Sequence, residues 1–321
     1  MTRRHFTAIT IAIITYNSAD HIEKLIDGIP AAAAGLDTRI IVVDNSSSDD
    51  TIERVRRHPD VLLISAGGNT GYSGGINIAR EQAIDGAPVA VLNPDLILKP
   101  GTLSRLVTEL ESSETIGIAV PQLTKPDGAI FRHLRREPTP AGALGEALFG
   151  AHWSARPRSL VEILQRDTDY VADHDVDWAG AALWVISPEC DRAVGAWDAE
   201  RYFLFSEETD YAYRARRLGF RVRYVSAAQA VHEGSGSGTA TILLALLSVN
   251  RIRHIERTRT RWVALRFRAA VVVQHLLRAH REENRLTLKY LLSRRSWDRL
   301  PHGDPPAPRV LSSIGSKDGA A

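Results

Sequence analysis

Cysteine is almost missing from this chain: Cys190 stands alone among 321 residues. One thiol excludes an internal disulfide framework and suits a reducing compartment such as the cytoplasm. Long apolar runs are missing as well. The longest late one, Ile242 to Val249, falls far short of the roughly 20 residues a membrane-spanning helix needs. The apolar stretch after Met1-Thr2-Arg3-Arg4-His5-Phe6-Thr7 is cut short by Tyr16-Asn17 and has no small-residue cleavage site, so no signal peptide is expected. There is no Walker loop with Gly-Lys-Ser/Thr, no spaced dinucleotide fingerprint, no internal repeat and no strongly low-complexity tract. What is present is ordinary globular material, 44% apolar, enough for one large domain or two modest ones.

Charge is scarce in sum but not in distribution. The net +2 hides a stretch, 251–300, with fourteen Lys/Arg against four Asp/Glu, while 301–321 cancel and 1–250 are left at −8. An acidic body with a basic extension points to an anionic partner for the extension. Within it, Arg257, Arg259, Arg261, Arg266 and Arg268 interleave with Trp262, Val263, Leu265 and Phe267. That pattern fits a helix lying in a membrane interface, or one packed on the rest of the chain. No nucleic-acid-binding module surrounds it, so nucleic acid is not expected as a partner.

Strand and helix periodicities alternate over the first 120 residues. Strands are expected at Thr7–Thr15, Arg39–Asp44, Val61–Ser65, Ala87–Leu92 and Ile116–Val120. Helices are expected at Ala19–Ile29, from Ser48 to Arg57, at Ser73–Ile84 and at Gly101–Glu111. Such alternation with short links implies an α/β fold with a doubly wound, mainly parallel sheet. Residues 121–175, broken by Pro121, Pro126, Pro138, Pro140 and Pro157, read as a mobile, substrate-facing loop region. A strand at Val176–Ile186, a helix near Ser206–Leu218 and a strand at Arg221–Val225 follow. From Thr239 the chain reads as successive helices, with Pro301–Ala321 frayed.

Candidate chemistry sits where these strands end. Thr15-Tyr16-Asn17 and Asp44-Asn45-Ser46 close the first two strands, at the carboxyl edge where open α/β sheets bind ligands. Asp44 can accept a hydrogen bond from the imide of a uracil or thymine ring, and Tyr16 offers a stacking face. The glycine-rich run Gly67 to Asn77 leads into a helix N-terminus, which suits a diphosphate. Its Gly71-Tyr72-Ser73-Gly74-Gly75 also fits the nucleophile elbow of an α/β-hydrolase, with Asp210 and His232 in the matching chain order. Asn93-Pro94-Asp95 ends a strand on a carboxylate, a hard oxygen ligand for a divalent cation, although the same triplet is ordinary turn chemistry. Glu207, Glu208 and Asp210 crowd the start of a helix between aromatic and aliphatic neighbours, where the pKa of a carboxylate can be raised, which suits a general base. His232 lies just after a strand and before the Gly/Ser run 234–237, and is a candidate metal ligand beside Asp95.

Taken in order, these strings resemble family 2 glycosyltransferases of the GT-A fold, especially the bacterial rhamnosyltransferase-like branch. The resemblance rests on Ile14 to Ser18, Val42 to Asp49, Asn69 to Asn77, Leu92 to Asp95, Trp178 to Ala182, Tyr202 to Asp210 and His232 to Ser235, and covers about residues 7–240. It implies that Thr15, Tyr16, Asn17 and Asp44 surround the base and ribose of a nucleotide-sugar, and that Asn69, Gly71 and Asn77 lie along it. Asp95 would hold Mg2+ or Mn2+ at the last position of the Asp-X-Asp motif, with Asn93 in place of the first aspartate. Trp178 and Gly180 would face the acceptor. The branch usually reads Glu-Asp where this chain has Glu207-Glu208, so Glu208 is the expected base, with Glu207 and Asp210 as alternatives.

The resemblance further implies inverting transfer of a sugar, first of all rhamnose from dTDP-rhamnose, with UDP-galactofuranose as an alternative donor. The acceptor would be a saccharide or a polyprenyl-diphosphate-linked sugar at the inner face of the plasma membrane. The expected layout is a catalytic domain over 1–240, with a nucleotide-sugar half (1–120) and an acceptor and catalytic half (121–240). A basic helical extension (241–300), touching anionic lipid through 257–300, and a flexible tail (301–321) complete it.

Overall fold

A computed structural model describes residues 4–150, 152–153, 155–234 and 241–312. The Gly/Ser run from Ser235 to Ser237 and the end of the tail, 313–321, lie outside the described residues. The first half alternates as its periodicity demands: β1 (Ala8–Thr15), α1 (Ala19–Ala32), β2 (Asp37–Asp44), α2 (Thr51–Val55), β3 (Val61–Ser65), α3 (Gly71–Arg80) and β4 (Val89–Leu92). β1 and β4 are apolar almost throughout and buried on both faces, as parallel strands covered by helices must be. α1 turns Ile22, Leu25, Ile26 and Ile29 onto the sheet.

The second half is less regular. β5 (Leu96–Leu98), α4 (Thr102–Ser112), β6 (Ile116–Thr124), β7 (Leu134–Arg135), α5 (Pro140–Leu148), β8 (His174–Val176), β9 (Trp178–Ala179), β10 (Leu183–Ile186), α6 (Pro188–Val194), α7 (Glu207–Arg217) and β11 (Arg221–His232) follow. Strands run in the order β12-β3-β2-β1-β4-β10-β6-β11-β5, where β12 is Arg309–Ser312. β3, β2, β1 and β4 are parallel. β10 inserts antiparallel between β4 and β6, so the sheet is mixed rather than uniformly wound.

Three sequence expectations are corrected here. Residues 176–186 are not one strand: the chain breaks after Val176 and again after Ala179 before β10. Residues 121–175 hold α5, opened by Thr139, whose hydroxyl caps Gly142 N at 3.0 Å, with Pro140 in the first turn. Pro140 starts a helix instead of breaking one. The tail is also not frayed over 301–312. It runs along the glycine-rich loop, with Asp304 N donating to Asn69 O and Ala307 N to Ala66 O, and then adds β12 antiparallel to the edge strand β3.

Beyond β11, α8 (Thr241–Thr258), α9 (Arg261–Leu276) and α10 (Glu282–Leu292) close around a separate apolar cluster that includes Val249, Ile252, Phe267, Leu291 and Trp297. α5 joins it by packing against α9. Among the described residues, no helix is long and apolar enough to cross a membrane.

Candidate active site

At the carboxyl rim of the parallel half, Asp44 is 1% exposed. Its carboxylate takes Thr15 Oγ1 at 3.0 Å, Ser47 N at 2.9 Å and Ser47 Oγ at 2.5 Å. Three of its acceptor positions are thus spent on shaping the turn after β2. Tyr16, 55% exposed, is the open surface at this rim. Asn17, at φ 51°, turns its side-chain oxygen to Ser48 N at 2.8 Å. Asn45 was not among the expected site residues, yet it is buried and bridges the rim to the glycine loop: it donates to Gly71 O and accepts from Thr70 N and Thr70 Oγ1.

The glycines of that loop serve close packing within the chain. Gly67 has φ +80°, and a Cβ there would stand 2.4 Å from Ala307 O of the tail. A Cβ on Gly71 would stand 2.1 Å from Phe203 O, a backbone approach that only glycine permits. Asn69 caps Gly71 N at 3.1 Å. Asn77 spends both ends of its amide on Trp197, donating to its carbonyl and accepting from its N–H, each at 2.9 Å. It clamps the loop at Trp197. Ser73 is fully buried and donates to Tyr202 O at 2.9 Å, so the hydrolase reading loses its nucleophile.

Asp95 lies between β4 and β5 and is 6% exposed. His232 reaches it because β11 pairs with β5, setting His232 opposite Leu96, and Glu233 N donates to Asp95 O at 3.0 Å. His232 Nε2 stands 3.3 Å from Asp95 Oδ1. That oxygen and His232 Nδ1 are both buried without a hydrogen-bond partner. Burial acts to raise the Asp95 carboxyl, but His232, with a smaller contribution from His21, outweighs it and holds Asp95 below its usual value. Phe131 sets its ring edge-on to His232 at 4.7 Å. Among the described residues, no group of three or more His, Cys, Asp or Glu side chains could by itself hold a metal. A carboxylate with an idle buried oxygen and an imidazole beside it nonetheless fits a cation whose other ligands come from phosphate and water, as Mg2+ usually binds.

Glu207 and Glu208 open α7. The preceding Phe205 and Ser206 both have left-handed backbone, φ 70° and 69°. Such a pair of non-glycine residues is strained and persists only where neighbours fix it. Asn250 of α8 does so, donating from one buried amide to Leu204 O at 2.9 Å and Phe205 O at 3.1 Å. Nothing local in the sequence ties Asn250 to this turn 45 residues earlier. Glu207 Oε2 and Glu208 Oε2 are buried without partners. Burial pushes both carboxyls up, and for Glu207 the neighbouring Glu208 charge adds to the rise. Asp210 is paired with Arg214 at 2.8 Å and with Arg257 at 3.4 Å.

The acid pair and Asp95 share one neighbour, Tyr72. Its hydroxyl donates to Ala181 O at 2.9 Å and is pushed well above its ordinary value by burial, then by Glu207, Glu208 and Asp95. The segment that Tyr72 touches also anchors Asn93, whose N–H donates to Ala182 O at 2.8 Å. Trp178 donates from its indole to Arg136 O at 2.9 Å and lines a cavity with Glu208. A Cβ on Gly180 would meet nothing closer than 3.7 Å, so packing does not demand glycine there.

The arrangement sets the Asp95–His232 pair at the sheet rim, with the half-buried Glu208 beside an adjoining cavity. Residues 10–173 match glycosyl transferase family 2. The chain is 27% identical over 238 residues to an N-acetylglucosaminyl-diphospho-decaprenol L-rhamnosyltransferase of Mycobacterium tuberculosis, covering 71% of this chain and 76% of that one. It is 29% identical over 233 residues to a low-salt glycan biosynthesis hexosyltransferase of Haloferax volcanii, covering 70% and 66%. In fold it is similar to a mannosyltransferase of Pyrobaculum calidifontis solved with GDP-Man and Mn2+, with TM-score 0.54 and 18% identity over 90% of this chain and 74% of that one. GalNAc-T7, solved with UDP, GalNAc and Mn2+, gives TM-score 0.54 at 14% identity, over 78% and 48%. With its family profile matched over half its length and its sheet rim built as described, the chain belongs to glycosyl transferase family 2 and is a glycosyltransferase.

Proposed function

We propose that the protein is an inverting, divalent-cation-dependent transferase that moves L-rhamnose from dTDP-rhamnose to a hydroxyl of a polyprenyl-diphosphate-linked sugar. The observation that carries the chemistry is the unpartnered Glu208 oxygen beside a cavity, with Tyr72 feeling the charges of both Glu208 and Asp95. Donor and acceptor rest on the mycobacterial relative, whose name specifies rhamnosyl transfer to a lipid-linked N-acetylglucosamine. Glu208 takes the proton of the acceptor hydroxyl as its oxygen attacks the anomeric carbon. The bond from that carbon to the diphosphate breaks, and its electron pair leaves with the nucleoside diphosphate. A single displacement needs no covalent enzyme intermediate and inverts the anomeric centre.

Asp95 and His232 would hold Mg2+ or Mn2+, which supplies positive charge against the leaving diphosphate. Tyr16 stacks on the base, while Thr15, Asn17 and Asp44 shape its seat. Asn69, Gly71 and Asn93 border the diphosphate and sugar. Asn77 and Asp210 fix the loop and helix around them, and Trp178 and Gly180 face the acceptor. A screen of nucleotide sugars tests this reading directly. dTDP-rhamnose with Mn2+ is expected to raise the melting temperature by a few degrees and to be consumed when a lipid-linked acceptor is added. A larger shift and turnover with UDP-galactofuranose would reassign the donor, and silence with every nucleotide sugar would end the reading.

The acceptor chemistry also calls for a membrane surface. α9 buries Ala264, Phe267 and Val271, and turns Trp262, 66% exposed, with Leu265 and Leu276 outward beside Arg261 and Arg266. An exposed apolar stripe with flanking arginines fits peripheral docking on anionic lipid at the cytoplasmic face. The double variant Trp262→Glu, Leu265→Glu is expected to stop co-sedimentation with phosphatidylglycerol vesicles while keeping the nucleotide-induced melting shift. Unchanged co-sedimentation would remove this surface from the proposal.

A further inference from the structure

Residues 301–312 lie outside the family match, which ends at residue 173, yet they grip the loop that borders the proposed donor site. Asp304 meets Asn69 twice: its N–H donates to Asn69 O at 2.9 Å, and its carboxylate accepts from Asn69 N at 2.8 Å. Ala307 N donates to Ala66 O at 2.9 Å, and β12 then pairs with β3 from Ser65 to Leu63. Leu311 packs against the apolar core. Glycine stands on both sides of this contact. A Cβ on Gly68 would come 2.8 Å from the Asp304 Cβ, and one on Gly303 would come 2.8 Å from Thr70 O. Neither residue has a left-handed backbone, so close approach alone asks for glycine there.

The grip shapes the turn into α3. With its N–H and C=O both held by Asp304, Asn69 turns its side-chain oxygen onto Gly71 N at 3.1 Å, while the buried Asn45 binds Thr70. Asp304 itself is exposed, as are Pro305 to Val310. A surface segment held by a handful of bonds opens at far lower cost than the sheet does. Pro301, Pro305, Pro306 and Pro308 limit the conformations open to it when released, which lowers the entropy lost on redocking. Docked and released states of similar free energy are what coupling to a ligand requires.

We propose that residues 301–312 form a strap coupled to the nucleotide, in which Asp304 is a positioning residue that holds the Asn69 loop in its donor-binding shape. The inference rests on reading that loop as the border of the donor. A docked strap spares the nucleotide the cost of ordering the loop. By linkage, a bound nucleotide tightens the strap by the same factor.

The test uses the full chain with dTDP and, in parallel, UDP, each with Mn2+. In the native chain the nucleotide is expected to slow amide hydrogen exchange over 301–312 about fivefold, the low end of couplings between sites. Asp304→Ala removes the carboxylate, and Gly303→Ala pushes the strap off Thr70. Each should weaken the nucleotide Kd about fivefold, as reciprocity demands. Asp304→Asn, which keeps an acceptor oxygen for Asn69 N, should recover part of the loss. A lowered melting temperature with unchanged Kd in both alanine variants would make the contact merely structural and overturn the coupling. Exchange over 301–312 that ignores a bound nucleotide would overturn it too, and the transferase reading would survive either result. Tighter nucleotide binding in the variants would make the strap a competitor of the nucleotide and likewise overturn the proposal. A native chain that binds neither dTDP nor UDP would overturn the donor reading and the strap with it.

Discussion

Glu208→Gln is expected to lower kcat by about 10²–10⁴-fold, the usual contribution of a positioned general base, with little change in nucleotide affinity. Glutamine keeps the volume and the hydrogen-bonding reach of the side chain but cannot take a proton. The same substitution should not destabilise the fold at neutral pH. Burial raises the carboxyls of Glu207 and Glu208 in the folded state. A group whose folded value is raised favours folding at pH values below its unfolded value, about 4.3 for Glu, and that contribution is lost as pH rises through the folded value. At neutral pH the native protein therefore bears the cost of charge in a buried pair, and Gln relieves part of it. Melting temperature at pH 7 should be equal to or above that of the native chain, and the difference should close as pH falls towards 4. The kcat of the native enzyme should climb with pH until Glu208 is deprotonated and then level off. Should Glu208→Gln retain activity while Glu207→Gln loses it, the base is the neighbouring carboxylate.

Much of this site was legible because its parts end strands. A parallel strand buried on both faces writes itself as an apolar run, and a polar residue closing it, such as Asp44 or Asp95, falls at the sheet rim. His232 was expected beside Asp95, but the length of the strand that carries it was harder to foresee. β11 was expected to stop at Val225, but it continues past a register shift between Val225 and Gln229 and pairs with the three-residue β5. The polar Ser226 and Gln229 masked the continuation, and a three-residue strand carries too little period to be seen.

Partners distant in sequence were illegible altogether. The tail, with Pro301, Pro305, Pro306 and Pro308, has the composition of a disordered end, yet its backbone bonds to the loop at Ala66 and Asn69. Gly67 and Gly68 were attributed to a diphosphate, whereas their missing Cβ atoms make room for Ala307 and Asp304. Asn250 sits on a helix whose sequence speaks only of packing and charge. Its significance comes from what α8 lies against, the strained turn before α7, and no local pattern records that.

Asp95→Ala is the second large effect expected, a fall in kcat/KM of about 10²–10³-fold, the range found when one electrostatic contact to developing charge is removed. The cause differs from that at Glu208. Here the lost group is the buried carboxylate whose Oδ1 has no donor of its own and whose neighbour is His232 at 3.3 Å. Removing it should abolish the part of the nucleoside-diphosphate melting shift that depends on Mn2+ and leave the metal-independent part, which comes from the base seat at Tyr16. The native enzyme treated with EDTA should behave like the variant, and added Mn2+ should restore the native chain alone. His232→Ala should fall between the two, because one carboxylate with phosphate oxygens and water still offers a hard-ligand site. Native activity that persists in EDTA, together with a silent Asp95→Ala, would remove the metal from the mechanism and leave the Asp95–His232 contact as a device for closing β5 onto β11.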